Sequence, residues 1–322
     1  MISFWTSYSN ARRWPIASVA LLAGLGGMSC GTVPPSRDDP KLAAGAAPPR
    51  SDSKLMTRDQ VVSNRLARQN QQFREFDECP PCFVKKIQGR DRIFLFDAVA
   101  DCNTTFRIGT WGDGGKWLCE PEQLSTSTVV YSFGVGDEVS FDHEMASLFG
   151  AEVHMFDPTP SVSRQFESFK AGKAQGQGRL FFHALGLGPV SSVKGNEWTL
   201  TIEGQSCPAK SLADIAKSLN HTHVDILKID IEGGEYAAIE QMLSDDSLAT
   251  LQVQQILIEF HLWAEDAFER FVRLVHRFAD QGYLMFRKEL NPTDANRCAE
   301  FAFVRVASPN LPAPSSPTSK AP

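Results

Sequence analysis

Extended hydrophobic runs are scarce in this 322-residue chain. The stretch from Ile16 to Met28 is broken by Gly24, Gly26 and Gly27, and it falls short of the roughly 20 apolar residues that a membrane span needs. Runs of Lys or Arg are missing too. With a formal charge of -6 and a pI near 5.7, the chain has no broad basic face, so nucleic acid is excluded as the expected partner. We expect instead a small-molecule or glycan acceptor. No internal repeat is visible, which excludes a solenoid. Finally, no second C-x-x-C and no His pair follow Cys79-Pro-Pro-Cys82 at zinc-finger spacing, so we expect no bound metal there and read the pair as a structural bridge.

What remains is a chain with 42% hydrophobic residues, enough for one sizeable domain with extensions. Arg12 and Arg13 precede the short apolar stretch and Asp38-Asp39 follow it, the charge order of an export signal. Residues 1–30 therefore read as a signal peptide or a lipoprotein signal ending at Cys30, with an uncleaved signal anchor as the alternative. The expected location is outside the cytoplasm, with membrane attachment only through the N-terminus. Residues 31–56 are rich in Pro, Ala and Ser and read as a disordered linker, and 308–322, with five prolines, as a disordered tail. Between them we expect an N-terminal extension or cap at 57–125 and the main domain at 126–307. Six cysteines remain after Cys30, an even number that permits disulfides.

The main domain alternates strand and helix, which predicts an α/β fold with a mostly parallel, doubly wound sheet. Strands are expected at 129–133, 153–156, 180–184, 224–231 and 255–260, and a hairpin at 283–287 and 301–306 closes the sheet and adds one antiparallel strand. Helices are expected at 57–76, 141–149 with Ser140 as cap, 161–169, after Ser211, at 235–243 and at 264–280. The last carries Phe268, Phe271, Val272, Val275 and Phe278 at helical spacing. Ile93-Phe-Leu-Phe96 reads as a further strand, Glu197 to Ile202 as an inserted one, and 101–120 as loops.

Three segments in order carry the chemistry. Gly134 and Gly136 follow the first strand, where residues without a Cβ let a ligand approach the backbone. The third glycine of a dinucleotide fingerprint is replaced by Val139. Asp157 ends the next strand 21 residues after Gly136, the spacing at which an acid accepts ribose hydroxyls. Glycines and acid without a pyrophosphate loop suit S-adenosylmethionine better than NAD. Asp230 and Glu232 then end the strand at 224–231, and as i and i+2 they point to one face. Glu259 and His261 end the following strand. Asp230, Glu232 and His261 are the candidate catalytic residues, with His261 able to serve as general base near neutral pH. The alternatives are helix capping by Glu232 or Glu235, a structural histidine, or a divalent ion among the four groups, which ranks below acid–base chemistry. Asp113-Gly-Gly-Lys-Trp117 is not a phosphate loop, because Trp117 stands where Ser or Thr is required; a loop folded over the cofactor edge is the better reading.

Ile226-Leu-Lys-Ile-Asp-Ile-Glu-Gly-Gly-Glu235, followed by Ile258-Glu-Phe-His261, resembles the FkbM-type S-adenosylmethionine-dependent methyltransferases. Asp113-Gly-Gly-Lys-Trp-Leu-Cys119 and Tyr131-Ser-Phe-Gly-Val-Gly136 resemble the branch of methyltransferase-like protein twenty-four. The resemblance spans roughly 73–306. It implies the class I, Rossmann-like seven-stranded fold, with Gly134, Gly136, Asp157 and Asp230 at the cofactor and Leu185 near its adenine. It further implies O-methylation of a small-molecule, sugar or lipid hydroxyl; the competing reading is a catalytically silent binding module with the same fold.

Overall fold

The computed structural model describes residues 56–111, 114–188 and 198–306, with only the backbone of Trp198. The expected signal, all but residue 56 of the linker, and the tail lie outside these residues. Three helices come first: α1 (Arg58–Glu78), α2 (Pro80–Lys86) and α3 (Asp91–Phe94). Thr57 caps α1 through a reciprocal pair with Gln60, so two otherwise orphaned N–H groups are satisfied. The strand expected at 93–96 is in fact α3 and its exit. Ile93 and Phe96, three residues apart, are buried while Phe94 is exposed, which is a helical and not a strand period.

The segment expected to be loops at 101–120 contains an antiparallel hairpin, β1 (Thr105–Ile108) and β2 (Lys116–Cys119). Its strands are only four residues long, and the Cys102–Cys119 disulfide fastens their open end. Cys79 and Cys82 form the second bridge, whereas Cys207 and Cys298 are free and buried.

The main domain proceeds through β3 (Val129–Phe133), α4 (Ser140–Phe149), β4 (Glu152–Phe156), α5 (Pro160–Gln165), β5 (Lys173–Gln175), β6 (Gly178–His183) and β7 (Gly186–Leu187). The insertion hairpin β8 (Trp198–Ile202) and β9 (Gln205–Lys210) pairs with β7 in a small separate sheet. Then come α6 (Leu212–Leu219), β10 (Ile226–Ile229), α7 (Glu235–Ser244), α8 (Ser247–Thr250), β11 (Gln255–His261), α9 (Ala267–Asp280), β12 (Tyr283–Leu290) and β13 (Cys298–Arg305).

The large sheet has the order β12-β13-β11-β10-β3-β4-β6-β5. Strands β11, β10, β3, β4 and β6 run parallel, and β13 is inserted antiparallel between β11 and β12. This is the expected class I arrangement with its closing hairpin. The difference is an eighth strand, the three-residue β5, which folds back on β6 at the edge. Ser140 does not cap α4. Val139 holds that position, and the Ser140 hydroxyl accepts a hydrogen bond from the Thr110 N–H.

Alternate residues of the central strands sort to opposite faces, as a period of two requires. Tyr131, Leu227 and Ile258 join one apolar cluster with Phe73 and Phe76 of α1 and the buried faces of α6, α7 and α9. Val130, Ile226 and Leu257 join another with α4 and the β1–β2 hairpin. Burying one such side chain contributes about 1.5–3 kcal/mol, so the continuous apolar strands hold the sheet while their C-terminal ends stay free for polar groups.

Candidate active site

The loops after β3, β4, β10 and β11 gather at one edge of the sheet, where α/β folds bind ligands. The two glycines of the first loop serve different purposes. A Cβ on Gly134 would lie 1.5 Å from the Asp230 carbonyl oxygen, so this residue allows two backbones to cross. Gly136 has nothing within 4 Å of the same position and adopts φ +57°, so it opens toward a ligand. Its N–H donates to Asp157 Oδ2 at 2.9 Å, and the other carboxylate oxygen accepts the Thr159 N–H at 2.8 Å. Asp157 thereby fastens the glycine loop to the end of β4. Each of its oxygens keeps a lone pair, since a carboxylate offers about four acceptor positions. Leu185 is partly buried and packs against the core cluster shared by β3 and β10.

Asp230, Glu232, Glu259 and His261 are brought together. The strand ends at Ile229, and Glu232 has the left-handed φ of +56°, so the i and i+2 argument does not hold for the pair. They converge through the turn instead. His261 Nε2 stands 3.6 Å from Glu232, 3.9 Å from Glu259 and 4.0 Å from Asp230. On the other side of the ring, Nδ1 lies 3.2 Å from Glu235 Oε1, which also accepts the His261 backbone N–H at 2.9 Å. Glu235 Oε2 accepts the Gly233 N–H. The fully buried Glu235 thus does what a capping acid does at a helix start and also fixes the imidazole.

Burial alone would lower the His261 pKa, but the Glu235 hydrogen bond and the charges of Glu235, Glu259 and Asp230 outweigh it and push it to about 9. At neutral pH the ring is a cation. The expected role as a neutral-pH base therefore gives way to that of a positive centre among carboxylates. Glu259 is pushed up to about 8, by burial first and then by the charges of Asp230 and Glu300. Asp230 is held below the usual carboxylate range: burial acts the other way, but Lys116, Lys228 and His261 prevail.

Lys116 and Glu300 were not foreseen. The hairpin strand β2 carries the buried Lys116 ammonium to within 3.5 Å of Asp230 Oδ2 and into contact with Glu300. Glu300 lies directly across from Glu259 in the β11–β13 register, and its charge helps to push the Glu259 pKa up against the pull of Lys116. The available signal was a lysine beginning the strand of an apparent surface loop, after Gly114-Gly115. Asp230, Glu259 and Glu300 lie close enough to share an ion, yet Lys116 and the His261 cation already supply the compensating charge.

Comparison with known proteins follows the same lines. Methyltransferase-like protein 24 from human, named as probable, is 27% identical over 139 residues, 41% of this chain and 32% of the relative, and its rat counterpart matches equally. The chain thus aligns with about a third of the length of these relatives. Among solved structures, fibrillarin from Aeropyrum pernix with natively bound S-adenosyl-L-methionine is 10% identical, with 56% of this chain and 67% of that one covered at a TM-score of 0.36. Magnesium protoporphyrin IX methyltransferase from Synechocystis is 14% identical, covering 57% and 73% at a TM-score of 0.35. The methyltransferase-domain family matches residues 85–305, well over half of the sequence, and the chain belongs to that family.

Proposed function

We propose that this chain is an S-adenosylmethionine-dependent methyltransferase acting on a hydroxyl oxygen of a small-molecule, sugar or lipid acceptor. The observation that carries the reading is the meeting of an open glycine, Gly136, tied to Asp157, with the Asp230–Glu232–His261 group at one sheet edge. The residues present fit a cationic donor: Gly136 leaves space for it, Asp157 is bonded to Gly136, and Asp230 lies on the loop packed against Gly134. S-adenosylmethionine supplies an electrophilic methyl carbon on a sulfonium. Asp157 would accept its ribose hydroxyls with the lone pairs that Gly136 and Thr159 leave free, and Leu185 would flank its adenine.

On the acceptor side, the ionised Asp230 orients the hydroxyl, and Glu232, more than half exposed at the rim, takes its proton and passes it to water. Lys116 and His261 help keep the Asp230 carboxylate charged. Holding the oxygen in line with the sulfonium supplies much of the acceleration. The two disulfides support a location outside the cytoplasm, and no described helix is long and apolar enough to cross a membrane.

Titration calorimetry of the full chain with S-adenosylmethionine tests the reading. We expect saturable binding that Asp157→Ala weakens, and labelled methyl transfer to a component of host extract that Asp230→Ala abolishes. Absence of binding by the wild-type chain would refute the enzyme. Binding without transfer would instead identify a silent binding module.

A further inference from the structure

Away from this edge, the sheet carries a second group of ionisable side chains that the proposed chemistry does not use. Glu152 opens β4, across from Val129 at the start of β3, and His154 follows two residues later on the same face. His221 lies between α6 and β10. The group therefore sits toward the N-terminal edge, about 13 Å along the strands from the glycine loop at ~3.3 Å per residue.

Its geometry is specific. Glu152 Oε1 is 2.9 Å from His154 Nε2 and 3.3 Å from His221 Nε2. The other nitrogen of each ring is already engaged: His154 Nδ1 lies 2.9 Å from His183 Nε2, and His221 Nδ1 2.8 Å from the Tyr131 hydroxyl. Both rings thus turn Nε2 to one point and Nδ1 to a fixed partner. Tetrahedral zinc with bonds of about 2.0–2.1 Å places its ligand atoms ~3.3 Å apart, close to the separations here, and all three candidate ligand atoms lie within 4.8 Å of one another. A second partner on the far nitrogen is the arrangement that orients metal-binding imidazoles.

We propose that Glu152, His154 and His221 bind one divalent transition-metal ion, zinc foremost, through Oε1 and the two Nε2 atoms, with a water completing the coordination. Two nitrogens and one carboxylate suit an ion of borderline softness and not calcium or magnesium. The Glu152 side chain is 41% exposed, His221 17% and His154 5%, so an ion has an entry path on the carboxylate side and the rings are held firmly behind it. Among the described residues, the ionisable partners of Glu152 are His154 and His221. The ion would clamp β4 to the α6–β10 connection, independently of whether the opposite edge transfers methyl groups.

The test uses the full chain, stripped with a chelator and titrated with Zn2+ alone in competition with a chromogenic chelator, and with Co2+ as a spectroscopic probe. We expect one ion per chain, the strong visible bands of four-coordinate Co2+, and a rise in Tm with added Zn2+. Glu152→Gln and His221→Gln, both near the surface, should abolish the bands with the circular dichroism unchanged. Tyr131→Phe should weaken Zn2+ affinity by about 10- to 100-fold, and Glu232→Gln should leave it as in wild type. The proposal is overturned if the wild-type chain binds no stoichiometric Zn2+, if His221→Gln binds as wild type does, or if the loss follows Glu232→Gln instead.

Discussion

His261 and His154 are 3% and 4% exposed and lie on strands of the same sheet, yet their pKa values move in opposite directions. Burial draws both down. At His261 it is overcome by one direct carboxylate partner and further carboxylate charges, and the pKa reaches about 9. At His154 a single, partly exposed carboxylate does not offset burial and the neighbouring His221 charge. His183 behind it falls further, to about 4, through burial and the charges of His154 and His221. The number and burial of the carboxylates decide which way the pKa of an interior imidazole moves.

The sharpest way to break this comparison is to remove Glu235. Glu235→Ala leaves a buried cation without its partner and should cost about 3–5 kcal/mol, read as a drop in ΔG from denaturant unfolding. A smaller effect is expected at Asn291, whose amide donates to Glu259 Oε1 at 2.7 Å. Asn291→Ala should destabilise by about 1–3 kcal/mol and raise the Glu259 pKa further, because the charged form loses a donor.

The pH dependence separates the two regions by sign. The folded pKa of His261 lies above the unfolded value of 6.5, so its stabilisation is full below pH 6.5 and is lost as pH rises toward 9. His183 is depressed from 6.5 to about 4, so it costs stability as pH falls through that window. Glu259, raised from 4.5 to about 8, loses its contribution as pH rises between those values. Imidazole NMR titrations should show His261 protonated through neutrality and His183 neutral down to about pH 4; a His261 midpoint below 7 would remove the contrast. Least affected of all should be Glu152→Ala without added metal, at about 1 kcal/mol or less for a contact whose carboxylate is so exposed, measured by thermal unfolding.

Much of this was legible in the chain. The apolar runs from Val129 to Phe260 placed the parallel strands, because residues buried on both faces leave little ambiguity. Gly136, Asp157, Asp230, Glu232 and His261 were legible because they follow those strands within a few positions. The protonation state of His261 was not, since it depends on Glu235 reaching back from the next helix and on burial that spacing does not encode. Lys116 was hidden by a four-residue strand among glycines and tryptophans. The Glu152–His154–His221 group was hidden by sequence distance: Glu152 and His154 share β4, but His221 joins them only because the end of α6 delivers it there.

The close packing of Gly134 on the Asp230 carbonyl ties together the two loops that would receive donor and acceptor. Their spacing is set by atoms of the main chain, which substitution elsewhere than at Gly134 leaves in place. Side chains at the rim other than Glu232 can therefore vary to admit a different acceptor while the reach between the two reactants stays constant.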